Sequence, residues 1–455
     1  MNTKRAEVGK AAPRKALTSH LKDLIKRSLG LFAKKKEERP TKVRASTVIK
    51  DSIKSKDGRK TKTSRSHPQR KAQGEGIATD SAPLDFAWID TAEKLSLLAA
   101  EIQLQAKSQR PRSYIDTEAD SLYHYAEQLC LIQLACNDRY FLIDPLSVPN
   151  IPELLSALDL TEIWLHGADY DLTLLKRTYG WSPHRIYDTQ IAARLCGCRS
   201  FGLAALVQQH CGITLCKSSQ KADWSQRPLP SKMQAYAVDD VRYLGQLADK
   251  FMGQLTASGR IAWFEQSCSA LRSDVRKRPD KDREDAWRIS GSGRLKPQGL
   301  AALRELWLWR DAMAAERDVP PFKIFNNQQL LTFATDYEAN GRVAYPPRWR
   351  ATWRDGFRAA FDRAKGTAPQ DLPQQPRQKR RLISENQKAR IEELCALREA
   401  QAQLLGLEGS LIGSRAAIEE LVLQPESASG TTLLKWQLDL LGLASDPEPT
   451  VAEAL

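Results

Sequence analysis

The chain has 455 residues, room for two or three domains at about 150 residues each, and its 42% hydrophobic content is enough for real cores. No apolar run approaches the about 20 residues that cross a bilayer, so a single small module and an integral membrane protein are both excluded. The net charge of +14 is unevenly placed: residues 1–72 hold 23 Lys and Arg against 6 Asp and Glu, while residues 73–455 hold 46 against 49.

A polycation attached to a near-neutral body points to a polyanionic partner, nucleic acid foremost. Within the basic segment, Leu17, Leu21, Leu24, Ile25, Leu29 and Phe32 recur at helical spacing. Residues 33–80 are rich in Lys, Ser, Thr and Arg, with almost no large apolar side chains, and are expected to be disordered. The eight cysteines form no C-x-x-C pair, and several lie inside apolar runs such as Leu129 to Ile132. They read as buried free thiols of a reducing compartment, and the expected location is cytoplasmic.

Order is expected from about Asp85. Phe86 to Ile89 is a short apolar segment, and the capping-box spacing of Asp90 and Glu93 opens an amphipathic helix through Ile102. Strand patterns follow at 113–118, 128–136 and 139–144, the last two joined by the tight-turn pair Asn137 and Asp138. Beyond Pro145 the pattern alternates: a helix at 151–158, a strand at 162–166, a helix at 169–179 and a short extended piece at 186–189. Helices then follow at 189–195, 202–210 and 231–256. A meander feeding strand–helix units predicts an α/β domain with a mixed sheet. From Trp287 onward only helical periodicity recurs, at 300–317 and at 328–337, where Asn326 and Asn327 can cap the second helix. The Pro- and Gln-rich stretch 369–376 reads as a linker, and a second helical block covers 381–443.

The chemistry concentrates at five positions. Alternation on a strand turns Asp116 and Glu118 to the same side, where two carboxylates repel unless something positive lies between them, and a divalent metal ion meets that need. Asp171 falls within the first turn of a helix, just past a strand. Tyr236 and Asp240 are four residues apart on a helical pattern and share one face.

These segments together resemble the RNase D group of the DEDD exonucleases, in the subclass with a catalytic tyrosine. The matching stretches are Ile115 to Glu118 with Leu129 to Gln133, His166 to Asp171, Tyr187 to Gln190, Asp223 to Leu229, and Tyr236 to Leu244. Arg304 to Phe333 is similar to the helicase-and-RNase-D C-terminal (HRDC) module, and the block ending at Leu433 to Leu441 to its more degenerate second copy. The resemblance implies an RNase H-like mixed-sheet exonuclease domain over 81–275, an HRDC domain over 285–366, a linker over 367–380 and a second HRDC-like module over 381–445, all after the basic tail 1–80. It implies catalysis by Asp116, Glu118, Asp171, Tyr236 and Asp240. The four acids would hold two divalent ions, Mg²⁺ or Mn²⁺, and Tyr236 would orient the attacking water. The implied product is a nucleoside 5′-monophosphate released from the 3′ end, and the implied partner is structured RNA, tRNA precursors foremost. We expect a monomer. Many members carry an aromatic residue directly after the first-motif Glu; here that position is Ala119, so Tyr123, His124 or Tyr125 is expected to stack on the substrate instead. Lys221 or Arg227 is expected near phosphate, the alternative being that their segment serves only as the approach to the next helix. His166 is expected to support the fold. The competing readings are a DNA exonuclease and a catalytically inactive nucleic-acid-binding scaffold.

Overall fold

The computed structural model describes residues 85–279, 284–345, 349–375, 383–424 and 433–443. The expected basic tail 1–80 and residues 376–380 of the expected linker lie outside these.

Six strands form one mixed sheet: β1 (Ala87–Ile89), β2 (Arg112–Ala119), β3 (Leu129–Cys136), β4 (Arg139–Ile143), β5 (Glu162–Leu165) and β6 (Ile186–Asp188), in the order β1-β4-β3-β2-β5-β6. The β2–β3 and β3–β4 pairs are antiparallel, whereas β1 on β4, β5 on β2 and β6 on β5 are parallel. Asn137 and Asp138 both have φ near +55°, the conformation a two-residue hairpin turn needs to match strand twist. The apolar segment at 86–89 is the edge strand β1, too short for periodicity to reveal. Between Glu118 and Ala119 the β2–β3 register slips, bending the chain just past the acidic pair.

The sheet is flanked by α1 (Ala92–Gln105), α2 (Ile151–Leu158), α3 (Asp169–Tyr179), α4 (Thr189–Leu195), α5 (Leu203–Cys211), α6 (Ser231–Arg242), α7 (Leu244–Ala257) and α8 (Ile261–Lys277). Two boundaries differ from expectation. Thr91 caps α1 by accepting from Lys94 N at 3.3 Å, while Asp90, expected as the cap, is paired with the Lys94 ammonium at 2.6 Å. The single helix expected over 231–256 breaks at Tyr243 into α6 and α7. Gly245 sits at that break, where a Cβ would come within 3.2 Å of the Tyr114 hydroxyl on β2. The break lets α6 lie across β2, β3 and β4 while α7 turns toward β5 and α4.

The helical region comprises α9 (Pro297–Glu316), α10 (Pro321–Ile324), α11 (Asn327–Asn340), α12 (Ala351–Gly366), α13 (Glu385–Leu405), α14 (Gly409–Ile412), α15 (Arg415–Leu423) and α16 (Lys435–Leu440). Asn326 caps α11 through a reciprocal bond with Gln329, as its position suggested. Helices α9 to α12 have their own core, built on Leu300, Leu303, Leu306, Phe325 and Phe357. The Pro- and Gln-rich stretch expected as a free linker packs back onto this module through residue 375: Gln375 Nε2 donates to the carbonyls of Ser292 and Leu295, and Leu372 joins the apolar cluster. Helices α13 to α16 instead share one hydrophobic cluster with the sheet domain, where Trp436 stacks on Trp263 of α8 with centroids 5.0 Å apart. Among the described residues no helix is long and apolar enough to cross a membrane.

Candidate active site

The site forms where β2 ends. Its side chains alternate, so Asp116 and Glu118 face α6 while Thr117 between them points to the other side. On α6, Tyr236 and Asp240 lie one turn apart and face the strand. Carboxylate oxygens of Asp116, Glu118 and Asp240 lie within 4.8 Å of one another. Asp171 approaches from the opposite face: its Oδ1 accepts from Thr117 Oγ1 at 2.5 Å, and both side chains are buried. The turn that delivers Asp171 is held by Asp188 at the end of β6. Its carboxylate accepts from Gly167 N at 3.0 Å and Ala168 N at 2.8 Å, and it caps α4 through Gln190 N at 2.7 Å. Gly167 has φ +73°, a conformation open to glycine at no steric cost.

The electrostatics match this crowding. The residues keep some exposed surface, but their carboxylates are ringed by protein atoms. Burial, then the charges of Asp171, Asp240 and Glu118, push Asp116 well above the usual carboxylate range. Burial and the neighbouring charges of Asp240 and Asp171 push Glu118 up to about 9. Burial raises Asp240 to about 8 against the opposing hydrogen bond from Tyr236. Burial also raises Asp171 to about 6, with the Thr117 hydrogen bond pulling the other way. The Tyr236 phenol is driven above its ordinary value by burial and the same carboxylates, so it stays protonated at neutral pH. Among the described residues, no Lys or Arg forms an ion pair with any of these four acids. A cluster of hard oxygen donors that crowd one another without a protein cation fits a hard divalent ion such as Mg²⁺ or Mn²⁺.

The residues expected at the substrate fall in two groups. Tyr123, His124 and Tyr125 sit at the seam between the sheet domain and the α9–α12 module. The Tyr123 hydroxyl donates to the Lys221 carbonyl at 2.7 Å, and the Lys323 ammonium lies 4.8 Å from its ring centroid. His124 bonds Asp318 at 2.7 Å and Ser225 at 3.1 Å. Tyr125 donates its backbone N–H to Asp318 at 3.1 Å and its hydroxyl to Asp311 at 2.7 Å, and its ring packs on the module's core. Arg227 differs from the phosphate-contact expectation. Its guanidinium makes five hydrogen bonds, to both oxygens of the buried Asp144 and to the carbonyls of Trp224, Gln226 and Cys130, leaving no N–H for a ligand. The alternative, a structural approach to the following helix, describes its place. His166 bonds Thr189 Oγ1 at 2.9 Å. Sequence reasoning missed Thr117 and Asp188. Thr117 gave one signal, being the inward residue between two outward acids.

Residues 86–256 match the 3′-5′ exonuclease family and residues 299–340 the HRDC domain family. Fold and acidic cluster thus define a 3′–5′ exonuclease followed by helical accessory modules. Ribonuclease D of Musicola paradisiaca is 30% identical over 372 residues, covering 79% of this chain and 97% of that protein. Ribonuclease D of Xanthomonas oryzae pv. oryzae is 34% identical over 243 residues, 51% of this chain and 66% of that protein. The crystal structure of Escherichia coli RNase D, described as an exoribonuclease involved in structured RNA processing, aligns with a TM-score of 0.59 at 26% identity. That alignment covers 79% of this chain and 96% of that one. The chain belongs to the ribonuclease D family and is a hydrolytic 3′–5′ exoribonuclease.

Proposed function

We propose that this chain trims the 3′ ends of structured RNA, tRNA precursors among them, releasing nucleoside 5′-monophosphates with the help of two divalent ions, Mg²⁺ or Mn²⁺. The observation that carries the reading is the convergence of Asp116, Glu118 and Asp240 oxygens within 4.8 Å. In this reading Asp116, Glu118 and Asp240 would hold one ion, and Asp171 would help Asp116 to hold the second. Bound there, such ions would supply positive charge to the attacking and leaving oxygens of a phosphodiester displacement. Tyr236, one turn from Asp240 and protonated at neutral pH, orients the attacking water by hydrogen bonding rather than by removing its proton. Thr117 fixes the Asp171 carboxylate, and Asp188 fixes the turn that carries it. Tyr123, His124 and Lys221 border the path of the RNA, with the cation–π pair of Lys323 and Tyr123 beside it. Tyr125 braces the seam.

The division we propose is a basic segment 1–80 that adds phosphate contacts, a nuclease domain 81–275, an HRDC domain 285–366, a connection 367–380 and a second helical module 381–445. A monomer acting in the cytoplasm suits the eight free thiols, four of them buried. The test is digestion of a 3′-extended RNA in Mg²⁺ or Mn²⁺, beside a DNA of the same sequence lacking 2′-hydroxyls. Asp116→Ala and Asp240→Ala are expected to abolish turnover in Mg²⁺ while RNA binding survives in Ca²⁺. Wild-type digestion by both variants would refute the site, and equal turnover of the DNA would refute the substrate class.

A further inference from the structure

Gln133, in the middle of β3, is 0% exposed, and neither its amide nitrogen nor its oxygen has a hydrogen-bond partner among the described residues. A polar group buried without a bond is destabilising, and here both ends of one side chain are in that position. The strand register states what surrounds it. Gln133 stands directly opposite Asp116 on β2 and Leu142 on β4. Directly opposed residues of an antiparallel pair share a face, with Cβ atoms about 5 Å apart. That face lies under α6 and α7: Leu131 and Leu142 pack with Ala237 and Val238, and Ala135 packs with Val241 and Leu244. Gln133 is thus a carboxamide in an otherwise apolar row, and the polar side chain directly beside it is the first acid of the active site.

We infer that Gln133 is a positioning residue, whose Nε2–H donates to the Asp116 carboxylate when that group is ionised against a divalent ion, fixing the direction in which the carboxylate faces. The inference rests on Asp116 being a metal ligand. A neutral donor beside a carboxylate gains from the charge, and it cannot itself compete for the cation as a second acid would. Outer partners of metal-holding carboxylates act in this way, and losing one weakens metal binding without removing a ligand. Gln133 lies seventeen positions along the chain from Asp116 and reaches it only through strand pairing, which is why the acid motif alone does not reveal it.

The experiment is calorimetric titration of the full-length, metal-free chain with Mn²⁺, together with its thermal midpoint and its kcat and KM on RNA. It compares wild type, Gln133→Met, which keeps length and removes the donor, and Asp116→Asn. Expected for Gln133→Met are Mn²⁺ binding weaker by about tenfold or more, a metal-free midpoint equal to or above wild type, and a fall in kcat with KM for RNA unchanged. Mn²⁺ affinity indistinguishable from wild type, with a lowered metal-free midpoint, would make Gln133 a packing residue and overturn the inference. The underlying reading fails separately, if wild type binds Mn²⁺ no better than Asp116→Asn. Should Gln133→Met not fold, the side-chain amide resonance of Gln133 in nitrogen-labelled wild type decides. A shift and slower hydrogen exchange on Mg²⁺ saturation support the bond, and an unmoved resonance overturns it.

Discussion

Replacing Asp240 by Asn should stabilise the metal-free protein while destroying its activity. In the folded chain burial raises this carboxyl from 3.8 to about 8. A carboxyl whose folded value exceeds its unfolded one binds its proton more tightly in the folded state. Its contribution to stability is therefore full below about pH 4 and is lost as the pH rises toward 8. At about 1.4 kcal/mol per pH unit, the ceiling is about 6 kcal/mol. The residue is only partly buried and its carboxyl shares its proton with crowded neighbours, so the expected gain for Asp240→Asn is discounted to about 2 kcal/mol at pH 8. For a chain of 455 residues that is a rise of about 2 °C in the thermal midpoint. The assay is differential scanning fluorimetry in chelator at several pH values from 5 to 8, then with Mg²⁺. The Asn variant should melt above wild type at pH 8, and the gap should narrow toward pH 5. Mg²⁺ at a hundredfold excess over its dissociation constant should return about 2.7 kcal/mol to wild type and less to the variant. An Asn variant that melts below wild type at pH 8 without metal, or a gap that ignores pH, would refute the account of a charge-crowded site.

Arg227→Met should cost about 3–5 kcal/mol, because it strands the Asp144 carboxylate, which is 2% exposed. Urea unfolding checks the loss, and RNA affinity measured well below the transition should be unchanged if the arginine has no substrate contact. Trp436→Ala should loosen the last helical module from the nuclease domain through the lost stack on Trp263, and limited proteolysis should cut it while the sheet domain resists. Deleting residues 1–72 should weaken RNA binding and flatten its salt dependence by about 0.7 in log–log slope per lost single-strand phosphate contact. An unchanged slope would remove the basic segment from the binding account.

Much of the nuclease domain is readable from local pattern. The alternation around Asp116 and Glu118 and the Asn137–Asp138 turn are short-range properties, and so are the limits of the helix from Asp169 to Tyr179. The structure reproduces each of them. What pattern left out depends on residues distant in sequence. The edge strand at Ala87–Ile89 is defined by pairing with β4. The break at Tyr243 follows the packing of α6 and α7 on different parts of the sheet, with Tyr114 pressed against Gly245. Arg227 could be read toward phosphate because nothing nearby in sequence announces Asp144, eighty-three positions earlier. All five candidate chemical residues were legible as facing pairs or as a helix-start acid. The Thr117 hydroxyl that orients Asp171 was not, since it acts across the strand, away from the side that drew attention.

One short strand phases both halves of the site: β2 shows Asp116 and Glu118 to α6 and, between them, Thr117 to α3. Because faces exchange with every residue, inserting or deleting a single amino acid between Arg112 and Asp116 would swap the two groups in one step. Length variation among relatives should thus accumulate in the loop after Ala119 and be excluded from the run leading up to the acids, even where the hydrophobic core could absorb it.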